Sequence, residues 1–196
     1  MIDKIEQALI DSTIRILKSG EGCLYVIKQK DLACDPLIEN DLEPFSIFDE
    51  SNQKRMDILA KTDGACIIDD AGNLFAYGMK INSTKSFSGF GTRHAAALTA
   101  SSKGNIAILG SQESKKVKIF KKGRLIMQID ALENDIEKKT PQAVNLLESI
   151  GAGAVVSLGA GVLFPAAVAL IPGILVFGSS HFLIKSLLKR DNTYNY

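Results

Sequence analysis

Three short stretches of this chain hold side chains able to do chemistry on an anionic ligand. "TDGACIID" (62–69) sets Asp63 and Gly64 immediately before an apolar strand, where a carboxylate suits a metal ion or a ribose hydroxyl. "GFGTRHAAAL" (89–98) runs from Gly89 and Gly91 through Thr92 into Arg93 and His94, at what reads as the start of a helix. Thr92 suits the N-cap, which puts Arg93 and His94 in the first turn, where backbone N–H groups and the helix dipole attract anions. An arginine there suits phosphate, and the glycines leave the backbone open to a ligand. "LGSQES" (109–114) puts Ser111 and Glu113 at the end of another strand, and strand ends are where α/β folds bind ligands. An isolated Arg93–His94 pair has a plainer reading, a solvated charge beside a structural histidine. The other two stretches shift the weight towards a site.

These residues need elements to hold them. Ile2, Ile5, Leu9 and Ile16 share one face of a predicted helix over 2–17, which Gly20 and Gly22 end. "CLYVIK" (23–28) reads as a short buried strand, and a loop with Pro36 and Pro44 leads to a helix over 51–61 capped by Ser51. "ACIID" and "LFAYGMK" flank the turn sequence "DAGN" (70–73) and predict a hairpin. "IAIL" (106–109) adds a strand, and "KVKIF" and "RLIMQI" flank "KKG" (121–123) as two more. With a small-residue helix near 93–102 between them, the elements make an α/β or α+β domain over residues 1–130. Residues 131–148 read as a polar connecting helix, broken or kinked near Pro141.

Lys and Arg number 23 against 22 Asp and Glu, a formal charge of +1, so no global field gathers nucleic acid and any anion site must be local. Cys23, Cys34 and Cys66 are odd in number, lack metal-ligand spacing and follow no secretory signal. They read as buried thiols in a reducing cytosol, with a redox or zinc role as the lesser alternative. The apolar excess lies near the C-terminal end, where no Asp, Glu, Lys or Arg occurs from residue 149 to residue 184. One helix of that length would reach about 54 Å against a hydrocarbon core of roughly 30 Å, so two crossings fit better. Pro165, Pro172 and Gly173 supply the break. Lys138 and Lys139 before the run, with Lys185, Lys189 and Arg190 after it, place both ends in the cytosol. Gly153, Ser157 and Gly161 have the spacing for close packing of membrane helices. The expectation is a two-helix transmembrane hairpin over 149–188. The alternatives are a hairpin buried within an oligomer and an effector element gated by nucleotide.

Taken together, the three stretches resemble the diadenylate cyclase family, the DAC or DisA-N domain that makes cyclic di-AMP from two ATP. The family's Asp-Gly-Ala, Gly-Thr-Arg-His-Arg and Ser-x-Glu elements stand here in order as Asp63-Gly64-Ala65, Gly91-Thr92-Arg93-His94 and Ser111-Gln112-Glu113. "PFSIFDESNQKRMDILAKTDGA" (44–65) is similar to the helix that precedes the first of them. The resemblance covers residues 1–130. It implies a cyclase with a central mixed, twisted sheet flanked by helices. The hairpin expected at 149–188 adds the expectation that it is membrane-anchored with its catalytic domain in the cytoplasm, although the family's membrane helices usually precede that domain. It also implies a homodimer through the active-site face, so that the 3′-hydroxyl of each ATP meets the α-phosphate of the other. By motif match, Asp63 would help activate the ribose hydroxyl, while Gly64 and Ala65 leave space for the nucleotide. Gly91 would give access to the backbone, and Thr92, Arg93 and Ser111 would bind phosphate oxygens. His94 and Glu113 would hold a divalent cation, Mg²⁺ by default with Mn²⁺ or Co²⁺ open.

The chain departs from the family at Ala95, where the pattern has a second arginine, and in "ASSKGN" (100–105), where the family often has Ser-Glu. Losing one charged hydrogen bond costs about 1.5–3 kcal/mol, one to two decades in rate or affinity. Lys103, Lys115 and Lys116 are the candidates to replace that charge, or are simply solvated. An active cyclase is the favoured reading. A catalytically weak or inactive nucleotide-binding membrane sensor is the alternative.

Overall fold

The computed structural model describes residues 2–39, 41–82, 91–151 and 168–177. Helix α1 (Ile2–Lys18) buries Ile5, Leu9, Ile10, Ile14, Ile16 and Leu17 completely or nearly so, a stripe that fixes which way it rolls against its neighbours. After the turn at Gly20, the strand β1 (Cys23–Ile27) is buried along its whole length. A short edge strand β2 (Cys34–Pro36) and the two-residue β3 (Phe45–Ser46) follow, and then a single 3₁₀ turn (Glu50–Asn52) enters α2 (Gln53–Ala60). The cap here is Asp49, whose carboxylate accepts the Ser51 N–H at 2.9 Å, so Ser51 does not have the capping role expected of it.

Strands β4 (Ala65–Ile68) and β5 (Asn73–Ile81) form the hairpin that their turn chemistry predicts. Asp69 accepts from the backbone of Ala71 and Asn73, and Gly72 sits at φ 86°. Helix α3 (Thr92–Ser102) and strand β6 (Ile106–Ser111) follow. Strands β7 (Lys116–Lys121) and β8 (Arg124–Asp130) meet at Lys122 and Gly123, both with positive φ, the handedness that tight hairpins require. Helix α4 (Ile136–Gly151) and the strands β9 (Val168–Ile171) and β10 (Ile174–Phe177) complete the described elements.

All these strands belong to one mixed sheet in the order β2-β5-β4-β1-β6-β7-β8-β10-β9, with β3 paired to β5. Among the described strands, β1 and β4 run parallel and the other neighbours are antiparallel. Side chains alternate between two cores. On one face, α1, α2 and α4 cover Tyr25, Ile27, Cys66, Ile68, Ile108, Val117 and Ile119. On the other, α3 covers Leu24, Val26, Ala65, Ile67, Ala107, Leu109 and Phe120, packing closely through Ala97 and Ala100.

Two expectations change here. Pro141 lies inside α4, which continues through it. Proline leaves the Glu137 carbonyl without its helical donor. The Thr140 hydroxyl lies 2.9 Å from that oxygen and 3.0 Å from Asp11 on α1, and so serves the carbonyl or ties the two helices together. Helix α4 is therefore packed on the domain, with Ile136 and Val144 buried, where a connecting helix was expected. Residues 168–177, expected to hold the break at Pro172 and Gly173 between two membrane helices, form instead the β9–β10 hairpin around those two residues, and β10 pairs with β8 through Ile174, Leu175 and Val176. No helix among the described residues is long and apolar enough to cross a membrane. The rest of the expected membrane hairpin, 152–167 and 178–188, lies outside the described residues.

One buried charge helps lock α1 to the sheet. The Glu6 carboxylate, 1% exposed, meets the Lys121 ammonium of β7 at 2.6 Å. Removing one partner leaves a charge in a dry site, whereas removing both does not. Lys121→Met should therefore cost about 3 kcal/mol in urea denaturation of the full chain, and the Glu6→Leu/Lys121→Met pair should recover most of it. Equal midpoints for Lys121→Met and the unaltered protein would show that the pair contributes nothing.

Candidate functional site

The three motif stretches converge at one edge of the sheet. Because β1 and β4 are parallel and β6 is antiparallel to β1, the starts of β1 and β4 lie beside the end of β6. Gly22, Asp63 and Gly64 therefore approach Ser111, and the first turn of α3 stands over them. Arg93 reaches across this edge, with its Nη2 3.4 Å from Asp63 Oδ1. Its other amino nitrogen packs over Gly22, where a Cβ would sit 3.3 Å from Nη1 and 2.9 Å from the Gly110 carbonyl. The Asp63 side chain is 93% exposed against 29% for Arg93, so the carboxylate is open to an incoming group while the guanidinium is held from behind.

Glycine is required at position 64. Its φ is 95°, and a Cβ would fall 2.6 Å from the Gly78 carbonyl carbon. That approach turns the chain into β4 and aims Asp63 outward, with Ala65 buried directly behind it. Ser111 ends β6 at 7% exposure and pairs with Lys116. Gly91 is the N-cap of α3 in place of Thr92, which becomes the exposed first helical residue, and no side chain caps the helix. The Gly91 backbone, φ −64° and ψ 164°, is the extended conformation usual for an N-cap residue. Gly89 lies outside the described residues.

His94 turns away from Asp63. One helical residue past Arg93, it points to β7, where the Lys118 Nζ lies 2.9 Å from its Nε2 and the Phe120 ring meets it edge-on. Burial first, then the charge of Lys118, pushes the imidazole down to about 4, so at neutral pH it is uncharged and its Nε2 accepts from the ammonium. Burial and Lys116 push the Lys118 ammonium down from its usual range, while Glu113 pulls the other way. Glu113 itself is exposed in the turn between β6 and β7. The expected metal pair does not fit a divalent ion well. The lone pair that His94 would give to a metal is taken by an ammonium, and among the described residues no three His, Cys, Asp or Glu side chains come together as a metal site.

Burial raises the thiols of Cys23, to about 12, and of Cys66, so neither forms a thiolate near neutral pH. From the sequence Gly22 was read only as a helix end, and Gly110 and Lys118 were not singled out. The alternation in "KVKIF" was the available signal, since it sets Lys116 and Lys118 on the face of apolar Phe120.

The DAC family, described as DisA bacterial checkpoint controller nucleotide-binding, matches residues 10–125. A diadenylate cyclase of Methanocaldococcus jannaschii is 36% identical over 111 residues, 50% of this chain and 34% of that protein. The chain thus spans about a third of that relative's length. Two crystal structures are also similar. DacA from Staphylococcus aureus, a double mutant, has TM-score 0.47 at 18% identity, covering 73% of this chain and 94% of that one. A hypothetical membrane spanning protein from Bacillus cereus has TM-score 0.45 at 17% identity, covering 60% and 59%.

The His94 environment sets a pH dependence. Its folded value lies below the ordinary histidine value of 6.5, so the unfolded chain takes up the proton first, and stability falls as pH drops from 6.5 towards about 4. Urea denaturation near neutral and near pH 5 should show this slope, reduced in His94→Gln. An identical slope in that variant would mean that the imbalance lies in other groups.

Proposed function

Because the chain belongs to the DAC family, whose nucleotide-binding domain matches residues 10–125, we propose that it is a diadenylate cyclase, joining two ATP into cyclic di-AMP with release of two pyrophosphates. The observation that carries this reading is the meeting of Asp63 and Arg93, thirty positions apart in the chain, at 3.4 Å on an edge cleared by glycines. The reaction needs a base at a ribose 3′-hydroxyl and a cation at the phosphates. Asp63 is open to the hydroxyl and takes its proton. The 3′-oxygen then forms a bond to the α-phosphorus of the other nucleotide, and the bond to pyrophosphate breaks. Arg93, held from behind by Gly22, meets the negative charge that grows on the phosphates. Ser111 offers a hydroxyl to the same group, and the first turn of α3 adds its dipole.

A single copy presents one Asp63 to one nucleotide, so the second ATP comes from a partner copy facing the same edge across a two-fold axis. No divalent ion is assigned to side chains of this chain. Membrane attachment is a separate proposal, resting on the uncharged run from 149 to 184. Residues 168–177, as strands, are not part of a helical crossing. Flotation of the full chain with lipid vesicles tests the attachment, and recovery only in the unbound fraction would end that proposal.

The second reading is a domain that binds nucleotide without turning it over, favoured by Ala95 at the second-arginine position. Incubating the full chain with ATP in Mg²⁺ or Mn²⁺ separates the two. Cyclic di-AMP detected by mass spectrometry supports the cyclase, and bound but unconverted ATP supports the second reading. Asp63→Asn should lower product formation about a hundredfold or more with folding unchanged. An unaltered rate in that variant would remove Asp63 from its role.

A further inference from the structure

We propose that Lys118 is the second cation of the phosphate site and that His94 is the positioning residue that holds its ammonium. This inference rests on the nucleotide reading of the same edge. Three observations lead to it. The first is register: Ser111 pairs with Lys116 and Leu109 with Lys118, and residues opposite one another on antiparallel strands share a face. Leu109 and Phe120 belong to the core under α3, so Lys116 and Lys118 stand on the α3 face of the sheet, beside the end of β6 that carries Ser111.

The second is charge. Lys118 is half-buried, and its Nζ lies against the uncharged Nε2 of His94 at 2.9 Å. Among the described residues no carboxylate pairs with it, and Glu113 acts on it only at longer range. Lys116 is answered by Asp130 across the β7–β8 pair, so the charge left for an anion to neutralise is that of Lys118 itself, an ammonium partly withdrawn from water and oriented by a neutral acceptor. The third is continuity. His94 follows Arg93 on the first turn of α3, so the guanidinium over Gly22 and the ammonium on His94 flank the same helix start.

Together the two cations suit a polyphosphate better than a single phosphate, since each meets a different part of an extended chain of charge. Lys118 thereby supplies a positive charge that Ala95 does not. The same contact uses the His94 lone pair, which is why the histidine serves here as the ammonium's acceptor and not as a metal ligand.

Calorimetric titration of the full chain with ATP and with AMP, in chelator and then in Mg²⁺, tests this. The unaltered protein should bind ATP in chelator. Lys118→Met should weaken ATP about tenfold or more while leaving AMP unchanged, and Lys118→Arg should keep most of the affinity. His94→Gln, which retains an acceptor for the ammonium, should bind ATP more tightly than His94→Leu. The split between ATP and AMP guards against misreading a folding defect, which would weaken both. Equal ATP affinity in Lys118→Met and the unaltered protein overturns the inference while leaving the nucleotide reading intact. ATP binding that requires Mg²⁺ and is lost in His94→Gln also overturns it, in favour of a metal at His94. No binding of ATP under either condition overturns both.

Discussion

Backbone meets backbone at the edge where β1 and β4 begin and β6 ends, and the rest of the site depends on that contact. A Cβ on Gly22 would sit 2.9 Å from the Gly110 carbonyl, and one on Gly110 would sit 2.9 Å from the Thr13 methyl and 3.1 Å from Cys23 Sγ. Real Cβ atoms do not approach so closely, so three chain segments and α1 can converge here only because two of the positions carry no side chain. The space left is what Arg93 uses to cross to Asp63. A side chain at Gly22 would push the guanidinium away and separate the pair, while one at Gly110 would collide with Thr13 and Cys23 on the α1 face and disturb the strand ends that carry the site.

The sheet divides its labour between two faces. The face under α1, α2 and α4 holds the larger apolar core and the Glu6–Lys121 pair, with Ser12 bonding the buried Tyr25 hydroxyl at 2.6 Å. Nearly every polar group named there has a partner, as a stable interior requires. The face under α3 is thinner, lined by alanines that let the helix sit close, and its polar groups gather at one end. Asp63 answers Arg93 and Asp130 lies opposite Lys116, whereas Lys118 has a neutral histidine against it and Glu113 only at longer range. Such an imbalance does little for folding and leaves attraction available to an anion. His94 belongs to this face as a neutral group, because burial beside an ammonium disfavours its charged form.

The C-terminal run shows how context overrides composition. A long uncharged stretch satisfies the hydropathy rule for crossing a bilayer, but it also satisfies the requirement of a buried strand. Ile174 is 1% exposed, and β10 continues the sheet beyond β8. Pro172 and Gly173, read as a break between two helices, make the turn between two strands, for which a proline followed by a glycine at φ 82° is well suited.

By itself the sequence determined the elements whose signals are local. These are the apolar stripe of α1, the β4–β5 hairpin around its Asp-Ala-Gly-Asn turn, the β7–β8 hairpin at Lys122–Gly123, and the order of the three motif stretches along an α+β chain. Each follows from periodicity or turn geometry within a few neighbouring residues, which any fold must respect. That Asp63 and Arg93 would come together was an expectation carried by residue type and motif order, which need no coordinates, and the structure brings them within 3.4 Å. Only the tertiary structure decided that Gly22 and Gly110 clear the edge, that Asp49 and Gly91 are the caps, that 168–177 pair as strands, and that His94 faces Lys118 and not Glu113. Those outcomes depend on which distant segments come to lie side by side, and a short apolar run or a lone histidine carries no information about its neighbour across the sheet.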